Sequence, residues 1–220
     1  MHSCIGAFVH FNFDQVVERL VEQLKAALPG PAAHALLAPN PRRRWPEGFD
    51  HATIRDAAAL LLVFPIARRA HIVLTVRADT LGRHGGQISL PGGAIDPGES
   101  VEHAAVREAH EEVGLPVADA RVIGRLTPID IPISGFRLHP VVAIAAHRPA
   151  FAAAATEVAS VLEIALDELA DRSCLVTRER QLDGTRVAIP AFAVAGHEIW
   201  GATAMVLAEF LSLLGWLPSF

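Results

Sequence analysis

The sequence predicts an α+β fold in which a mixed β-sheet is sandwiched between α-helices. Three observations carry that expectation: runs with strand character are in the majority, one acidic helix is inserted midway among them, and further helical patterns occupy both ends. The chain of 220 residues is long enough for one sizeable domain with its own core. Within that single domain, residues 1–55 read as an N-terminal helical extension, 56–195 as the core that carries the chemistry, and 196–220 as a C-terminal helix.

Taken in order, Phe13 to Leu28 places Val16, Val17, Leu20, Val21, Leu24 and Leu28 at helical spacing, with Asp14 as N-cap and Pro29-Gly30 as the stop. Residues 38–49 contain Pro39, Pro41 and Pro46, which forbid regular pairing, so this stretch is a loop. Its Arg42, Arg43 and Arg44 form either a solvated basic turn or a phosphate contact. Ala57 to Ile66 and His71 to Arg77 are apolar strands joined by a short turn at Arg68-Arg69-Ala70. A glycine-rich stretch follows, then the acidic helix. Ala120 to Leu126 and Leu138 to Ala145 are further strands, flanking a proline-bearing loop from Pro128 to Phe136. Val158 to Ile164 is a strand, Asp167 to Leu169 a short helix, and Arg186 to Val194 a late strand. The apolar run Ile199 to Leu217 approaches membrane-spanning length, but Glu209 sits inside it and Gly201 and Gly215 interrupt it. A buried or homodimer-interface helix is the better reading, with no membrane contact.

Composition narrows the partners. A formal net charge of -5 leaves no basic footprint for nucleic acid, so a small-molecule substrate is expected. Cys4 and Cys174 are far apart and form no CxxC pair, which suits a reducing cytoplasmic location. The apolar stretch Ile5 to Phe11 has no basic segment ahead of it and no cleavage site behind it, so no signal peptide is expected.

The chemistry concentrates between Gly93 and Leu115. Glu108, Glu111 and Glu112 stand at i, i+3 and i+4, which brings three carboxylates to one helical face. Like charges so placed each weaken a helix by roughly 0.2 to 0.5 kcal/mol, and a hard divalent cation is the natural compensation. The segment reads Gly93-x5-Glu99-x7-Arg107-Glu108-Ala109-x-Glu111-Glu112-x-Gly114-Leu115. It resembles the signature of the Nudix hydrolases at every fixed position, Ala109 being a small occupant of the first apolar one.

That resemblance implies the Nudix fold, hydrolysis of a pyrophosphate, and a requirement for Mg2+ or Mn2+. Magnesium takes only one or two protein carboxylates, so Glu108 and Glu112 are the first candidates as ligands, with Glu111 sharing a second ion. Gly93 can offer its carbonyl oxygen because no side chain obstructs the approach. Glu99 and Arg107, both in the signature and opposite in charge, read as an ion pair tying loop to helix. Gly114 suits a left-handed cap. The general base is either a glutamate of the signature, such as Glu111, or a distal acid. Glu157, at the entry to a strand, is the best-placed distal candidate; a plain solvated glutamate is its other reading. Two nearby histidines, His84 and His110, are surface or packing residues on this reading.

Upstream, Val73-Leu74-Thr75-Val76-Arg77-Ala78 is followed by Gly86-Gln87-Ile88-Ser89-Leu90-Pro91-Gly92-Gly93. This is similar to the second signature that accompanies the coenzyme A pyrophosphatase group of the family. It departs at Val73, at Leu90 in place of phenylalanine, and at Gly82, where an arginine is expected. Either Arg83, next in line, takes over from that arginine through a one-residue shift, or binding of coenzyme A is weakened, or the substrate is a different one. The resemblance implies substrate contacts from Arg77, Arg83, Gly86, Pro91 and Gly92, and cleavage of coenzyme A or an acyl derivative to 3',5'-ADP and 4'-phosphopantetheine or its acyl form. Arg77 has the other reading of a strand-end charge in solvent. Two alternatives remain: a Nudix hydrolase of another nucleoside diphosphate derivative such as ADP-ribose, and a catalytically silent nucleotide-binding module.

Overall fold

The computed structural model describes residues 11–78, 86–182 and 184–216. Its helices are α1 (Phe13–Gln23), α2 (Pro31–Leu36), α3 (Val101–Val113), α4 (Leu166–Ala170) and α5 (Gly201–Leu213). Its strands are β1 (Arg55–Ile66), β2 (Arg69–Arg77), β3 (Ile88–Ser89), β4 (Gly92–Ala94), β5 (Arg121–Arg125), β6 (Ile129–Ile131), β7 (Phe136–Ile144), β8 (Val158–Ala165), β9 (Leu175–Leu182), β10 (Thr185–Val194) and β11 (His197–Trp200). Strands β1 to β8 form one mixed sheet, in which β1 runs parallel to β7 and the other pairings are antiparallel. Strands β9, β10 and β11 form a second, smaller sheet.

The continuous apolar run of β1 follows from burial on both faces. Ala58, Leu60, Leu62 and Phe64 join Ala104, Ala105 and Ala109 of α3 in one hydrophobic cluster. Ala59, Leu61 and Val63 join the other, with Val16 and Leu20 of α1 and most of α5. Period-two alternation thus splits a single strand between two cores, each Leu contributing roughly 1.5 to 3 kcal/mol when fully buried. The α+β sandwich predicted from the strand-rich pattern is the fold observed.

The hairpin of β1 and β2 positions the site. Its strands pair only near the turn, from Val63↔Ile72 to Ile66↔Arg69. Beyond that they part, and the glycine-rich segment supplies a short strand to each: β3 pairs with β2 at Thr75↔Ser89, and β4 with β1 at Ala58↔Gly93 and Ala59↔Gly92. Backbone bonds from Arg77 N to the Gln87 carbonyl (3.0 Å) and from Gly86 N to the Arg77 carbonyl (2.9 Å) close the base of the intervening loop.

Several local expectations are corrected. The N-cap of α1 is Asn12, whose side-chain oxygen accepts from the Asp14 N–H at 3.0 Å, and the helix ends at Gln23 rather than Leu28. The loop from Pro128 to Phe136 contains β6, which folds back on β7. Ile199 lies in β11, so the C-terminal helix starts at Gly201 and spans 13 residues. No described helix is long and apolar enough to cross a membrane. The apolar surface of α5 is covered within the chain by α1, α2 and the smaller sheet.

Glu209, in the middle of α5, is fully buried. Its carboxylate accepts from His34 Nε2 (2.8 Å), Gly30 N (3.0 Å), Thr127 N (3.1 Å) and Thr127 Oγ1 (2.6 Å). Burial opposes its charge, but the bonds from His34 and Thr127 outweigh burial and hold the pKa below the ordinary carboxylate value. The hub ties α2 and the β5–β6 connection to α5. Glu209→Ala leaves these donors buried without an acceptor and is expected to lower stability by about 3 kcal/mol or more, read from urea unfolding. A change within a few tenths of a kcal/mol would show that the hub does not anchor these elements.

Candidate active site

Helix α3 is built for its place. The Ser100 side chain caps its start, accepting from His103 N at 3.2 Å, and Gly114 ends it with φ of 69° in the left-handed region. Ala104, Ala105 and Ala109 face the sheet at 0% exposure, and these small side chains let the helix approach closely. The carboxylates therefore meet the glycine strand. A Cβ on Gly93 would stand 2.5 Å from the Glu108 carboxylate, and one on Gly92 2.4 Å from the Ala58 carbonyl. The Gly92 N–H donates to Glu112 Oε2 at 3.1 Å. Pro91 holds the strand through its carbonyl, which accepts from Leu60 N at 2.8 Å.

Arg107 gathers the acids. Its Nε donates to Glu99 Oε1 (3.0 Å) and its Nη2 to Glu99 Oε2 (3.0 Å) and the Ala94 carbonyl (3.1 Å). Nη1 donates to Glu108 Oε1 (2.8 Å) and Glu111 Oε2 (3.1 Å). The fork holds Glu99 below its ordinary pKa, and its own pKa is raised in return. The ion pair anticipated between Glu99 and Arg107 is thus present.

Glu112 is 6% exposed, and burial, with the charges of Glu108 and Glu157, pushes its pKa up to about 7 against the Gly92 bond and Arg77, which lower it. Glu108 is also raised by burial, with Glu111 and Glu157 adding repulsion, although Arg107 opposes the shift. Glu157 reaches this cluster because the segment before it caps the end of α3: Ala152 N donates to the Val113 carbonyl and Ala154 N to the Glu112 carbonyl, both at 2.9 Å. Arg77 adjoins this segment: it pairs with Val158 across β2 and β8, and Ala78 N donates to the Glu157 carbonyl at 2.9 Å. Its Nε is buried without a hydrogen-bond partner among the described residues.

The candidate residues sort plainly on this geometry. Gly92, Gly93, Glu108, Glu112, Arg77 and Glu157 converge; Glu99 and Arg107 brace them. Glu111, with its side chain 54% exposed, turns outward onto Arg107. Gly86 closes the base of the loop on β2. Arg83, Gly82 and His84 lie outside the described residues. His110 caps the helix end, Nδ1 standing 2.9 Å from the Leu115 carbonyl. Sequence reasoning missed the Thr75–Ser89 hydroxyl pair at 2.9 Å, which knits the two halves of the upstream signature. It also missed the bond from Gly92 N to Glu112.

Residues 54–180 match the sequence model of the NUDIX domain. The chain belongs to the Nudix family. It is 37% identical over 169 residues to a Citrobacter koseri protein described as an uncharacterized Nudix hydrolase NudL, covering 74% of this chain and 85% of that one. A protein of the same description from Cronobacter sakazakii is 36% identical over 177 residues, covering 77% and 89%. Among solved structures, the M. smegmatis Nudix hydrolase RenU aligns with a TM-score of 0.48 at 25% identity, covering 76% of this chain and 89% of its own. This Nudix protein is a hydrolase of phosphorus-containing anhydrides that acts on small nucleoside diphosphate derivatives, and Nudix hydrolases use divalent cations.

The residues present fit such a cation. Glu108, Glu112 and the Gly93 carbonyl are an all-oxygen donor set, and the raised pKa values of the two acids mark charge that a cation would relieve. Among the described residues no three His, Cys, Asp or Glu side chains are gathered into a chelating group, because Arg107 draws Glu108 and Glu111 to itself.

Two predictions follow from this geometry. Gly93→Ala pushes only against the end of the Glu108 side chain, so the fold survives while Glu108 is displaced, and turnover falls by about a hundredfold; wild-type kcat in the purified variant would refute it. Glu112, raised above its ordinary 4.5, contributes stability to the cation-free protein below that value and loses it as pH rises through about 7. The rise in Tm on adding Mg2+ is therefore expected to be larger well above about pH 7 than well below it. Equal shifts in calorimetry at both ends would contradict this.

Proposed function

We propose that this hydrolase cleaves the pyrophosphate of coenzyme A or an acyl derivative, with Mg2+ or Mn2+, to 3',5'-ADP and 4'-phosphopantetheine or its acyl form. The observation that carries the reading is the placement of the upstream signature. Thr75, Arg77 and Ser89 sit on strands that end at the glycine turn, and the unsatisfied Arg77 Nε beside Glu112 is a donor suited to a phosphate oxygen. Arg83, from the same signature, is the other candidate for a phosphate contact.

In this reading Glu108, Glu112 and the Gly93 carbonyl would hold the cation, and Glu111 would share a second ion. The cation supplies charge neutralisation at the pyrophosphate oxygens and a polarised water. Arg107 and Glu99 keep the loop and helix in register. Glu157, exposed and near enough for its charge to act on both Glu108 and Glu112, accepts the proton of the attacking water. Arg77 and the backbone of Pro91 and Gly92 orient the phosphates.

A second reading, hydrolysis of another nucleoside diphosphate derivative such as ADP-ribose, is favoured by one feature. Gly82 stands where the coenzyme A signature has an arginine, and glycine has no guanidinium to offer a phosphate.

Incubating the protein with coenzyme A and with ADP-ribose, in Mg2+, Mn2+ or EDTA, and weighing the products separates the two. The expected outcome is 3',5'-ADP and 4'-phosphopantetheine in metal and neither in EDTA; cleavage of ADP-ribose alone transfers the site to the second reading. Glu112→Gln removes ligand charge while preserving shape, so kcat is expected to fall by about a hundredfold or more. Near-normal turnover at saturating Mg2+ would remove Glu112 from the ligand set.

A further inference from the structure

Among the described residues four polar or charged side chains are buried: His34 and Glu209, which meet in the hub of α5, and Thr75 and Glu112. The second two flank the glycine segment. Glu112 is one of the carboxylates of the site, whereas Thr75, 1% exposed in β2, is an uncharged hydroxyl whose partners both lie on Ser89. Its Oγ1 donates to the Ser89 carbonyl at 3.2 Å and stands 2.9 Å from Ser89 Oγ. A buried hydroxyl is kept at no cost only when it is bonded in this way.

Alternation along the strands fixes which way the pair faces. Ile72, Leu74 and Val76 of β2, with Ile88 and Leu90 of the glycine-rich segment, lie in the core shared with α1 and α5, while Val73 lies in the other with Ala104, Ala105 and Ala109 of α3. Thr75, Arg77 and Ser89 therefore share the α3 side of the sheet. On this side Gly93 meets Glu108, and the chain turns after Ser89 so that Gly92 reaches Glu112. Ser89 is half-buried, directly opposite Thr75 and diagonal to Arg77. Diagonal neighbours stand about 7 to 8 Å apart, within reach of a long side chain.

The hydroxyl pair has two arrangements. In one, Thr75 donates to the Ser89 carbonyl and accepts the Ser89 hydrogen, so both hydrogens are spent inside the pair. In the other, Thr75 donates to Ser89 Oγ, and the Ser89 hydrogen is free to point away from the pair. The second arrangement supplies a donor diagonal to Arg77, whose Nε is buried without a hydrogen-bond partner among the described residues. A donor that can be freed next to one that is unsatisfied suits an oxyanion.

We propose that Ser89 Oγ and Arg77 Nε donate to one phosphoryl group of the substrate, with Thr75 as the positioning residue that turns the Ser89 hydrogen toward it. This rests on the assignment of Arg77 to a substrate phosphate, and not on which nucleoside diphosphate derivative is cleaved. Ser89 then adds a neutral donor where a second guanidinium has no room to enter the α3 side of the sheet. The pair also reports occupancy: an empty site leaves both hydrogens inside it, and a bound phosphoryl group draws one out.

The test titrates ADP, which carries a diphosphate, into the full chain in Mg2+ by calorimetry. Ser89→Ala is expected to weaken ADP about tenfold, and Thr75→Val, which keeps the shape but not the hydroxyl, about fivefold. Thr75→Ser restores the hydroxyl and is expected to bind ADP as the wild type does. Because both donors serve one group, Ser89→Ala is expected to cost less affinity in an Arg77→Gln background than alone. Losses that multiply in the double variant place the two donors on different groups and overturn the shared subsite. A Thr75→Val protein with a lowered urea midpoint but unchanged ADP affinity overturns the positioning role. If Ser89→Ala binds ADP as the wild type does while coenzyme A is cleaved, the subsite fails and the substrate reading stands. If ADP affinity follows these variants while coenzyme A is not cleaved, the substrate reading fails and the subsite stands.

Discussion

The site depends on one close approach: a glycine strand pressed between β1 and the carboxylates of α3. On one side Gly92 leaves no room for a Cβ against the Ala58 carbonyl, and on the other Gly93 leaves none against Glu108. The helix can come so near because the residues beneath it are Ala104, Ala105 and Ala109, all fully buried. Ala109, small where the family signature asks only for an apolar residue, is part of that fit rather than a defect in it. Packing of minimal side chains contributes less hydrophobic free energy than leucines would. In exchange it brings backbone donors and acceptors within reach of the acids, as the Gly92 bond to Glu112 shows.

Such an approach concentrates negative charge in a partly dry space, and the fold contains it with one guanidinium. Arg107 holds Glu99, Glu108 and Glu111 at once and adds the Ala94 carbonyl, so loop, strand and helix meet on a single planar group. Glu112 lies outside that grip. It is buried, bound to one backbone N–H, and strongly raised in pKa. The division is useful: the acids on Arg107 keep the architecture together before any cation arrives, whereas Glu112 holds unrelieved electrostatic cost that only a cation or a proton removes.

How much of this was legible depended on range. Residues 93–115 are contiguous, and helical periodicity alone places their acids on one face, so the site's acidic half could be read directly. The two-sided burial of β1, and of β7 from Pro140 onward, showed as unbroken apolar runs. What was hidden depends on contacts between distant segments. Glu157 reaches the cluster only because Ala152 and Ala154 cap α3, and poly-alanine sequence gives no sign of that. Strand β9, with Thr177, Arg178, Glu179 and Arg180 in succession, lacks apolar alternation because both of its faces are exposed over these residues. Glu209 read as an interruption in an apolar helix, since its partners His34 and Thr127 lie 175 and 82 residues away. Asn12 rather than Asp14 caps α1 because either side chain suits the role and only the path of the preceding chain decides.

The same difference in range separates reaction from recognition. The carboxylates of α3, the glycine turn at Gly93 and the Arg107 clamp are all set within the 23 contiguous residues from Gly93 to Leu115. On the coenzyme A reading, recognition draws instead on the upstream signature, with Arg77 supplied by the parted hairpin. A change in one recognition segment can therefore be offset by another without disturbing the acids. Gly82 is read best in that light: the missing guanidinium matters only in proportion to how little positive charge the other segments bring to the same phosphates. Arg77 reaches the site from β2, an element separate from the acids it faces. On the coenzyme A reading, substrate preference then resides in the combined field of the cationic groups around the phosphates rather than in a single position of the upstream signature.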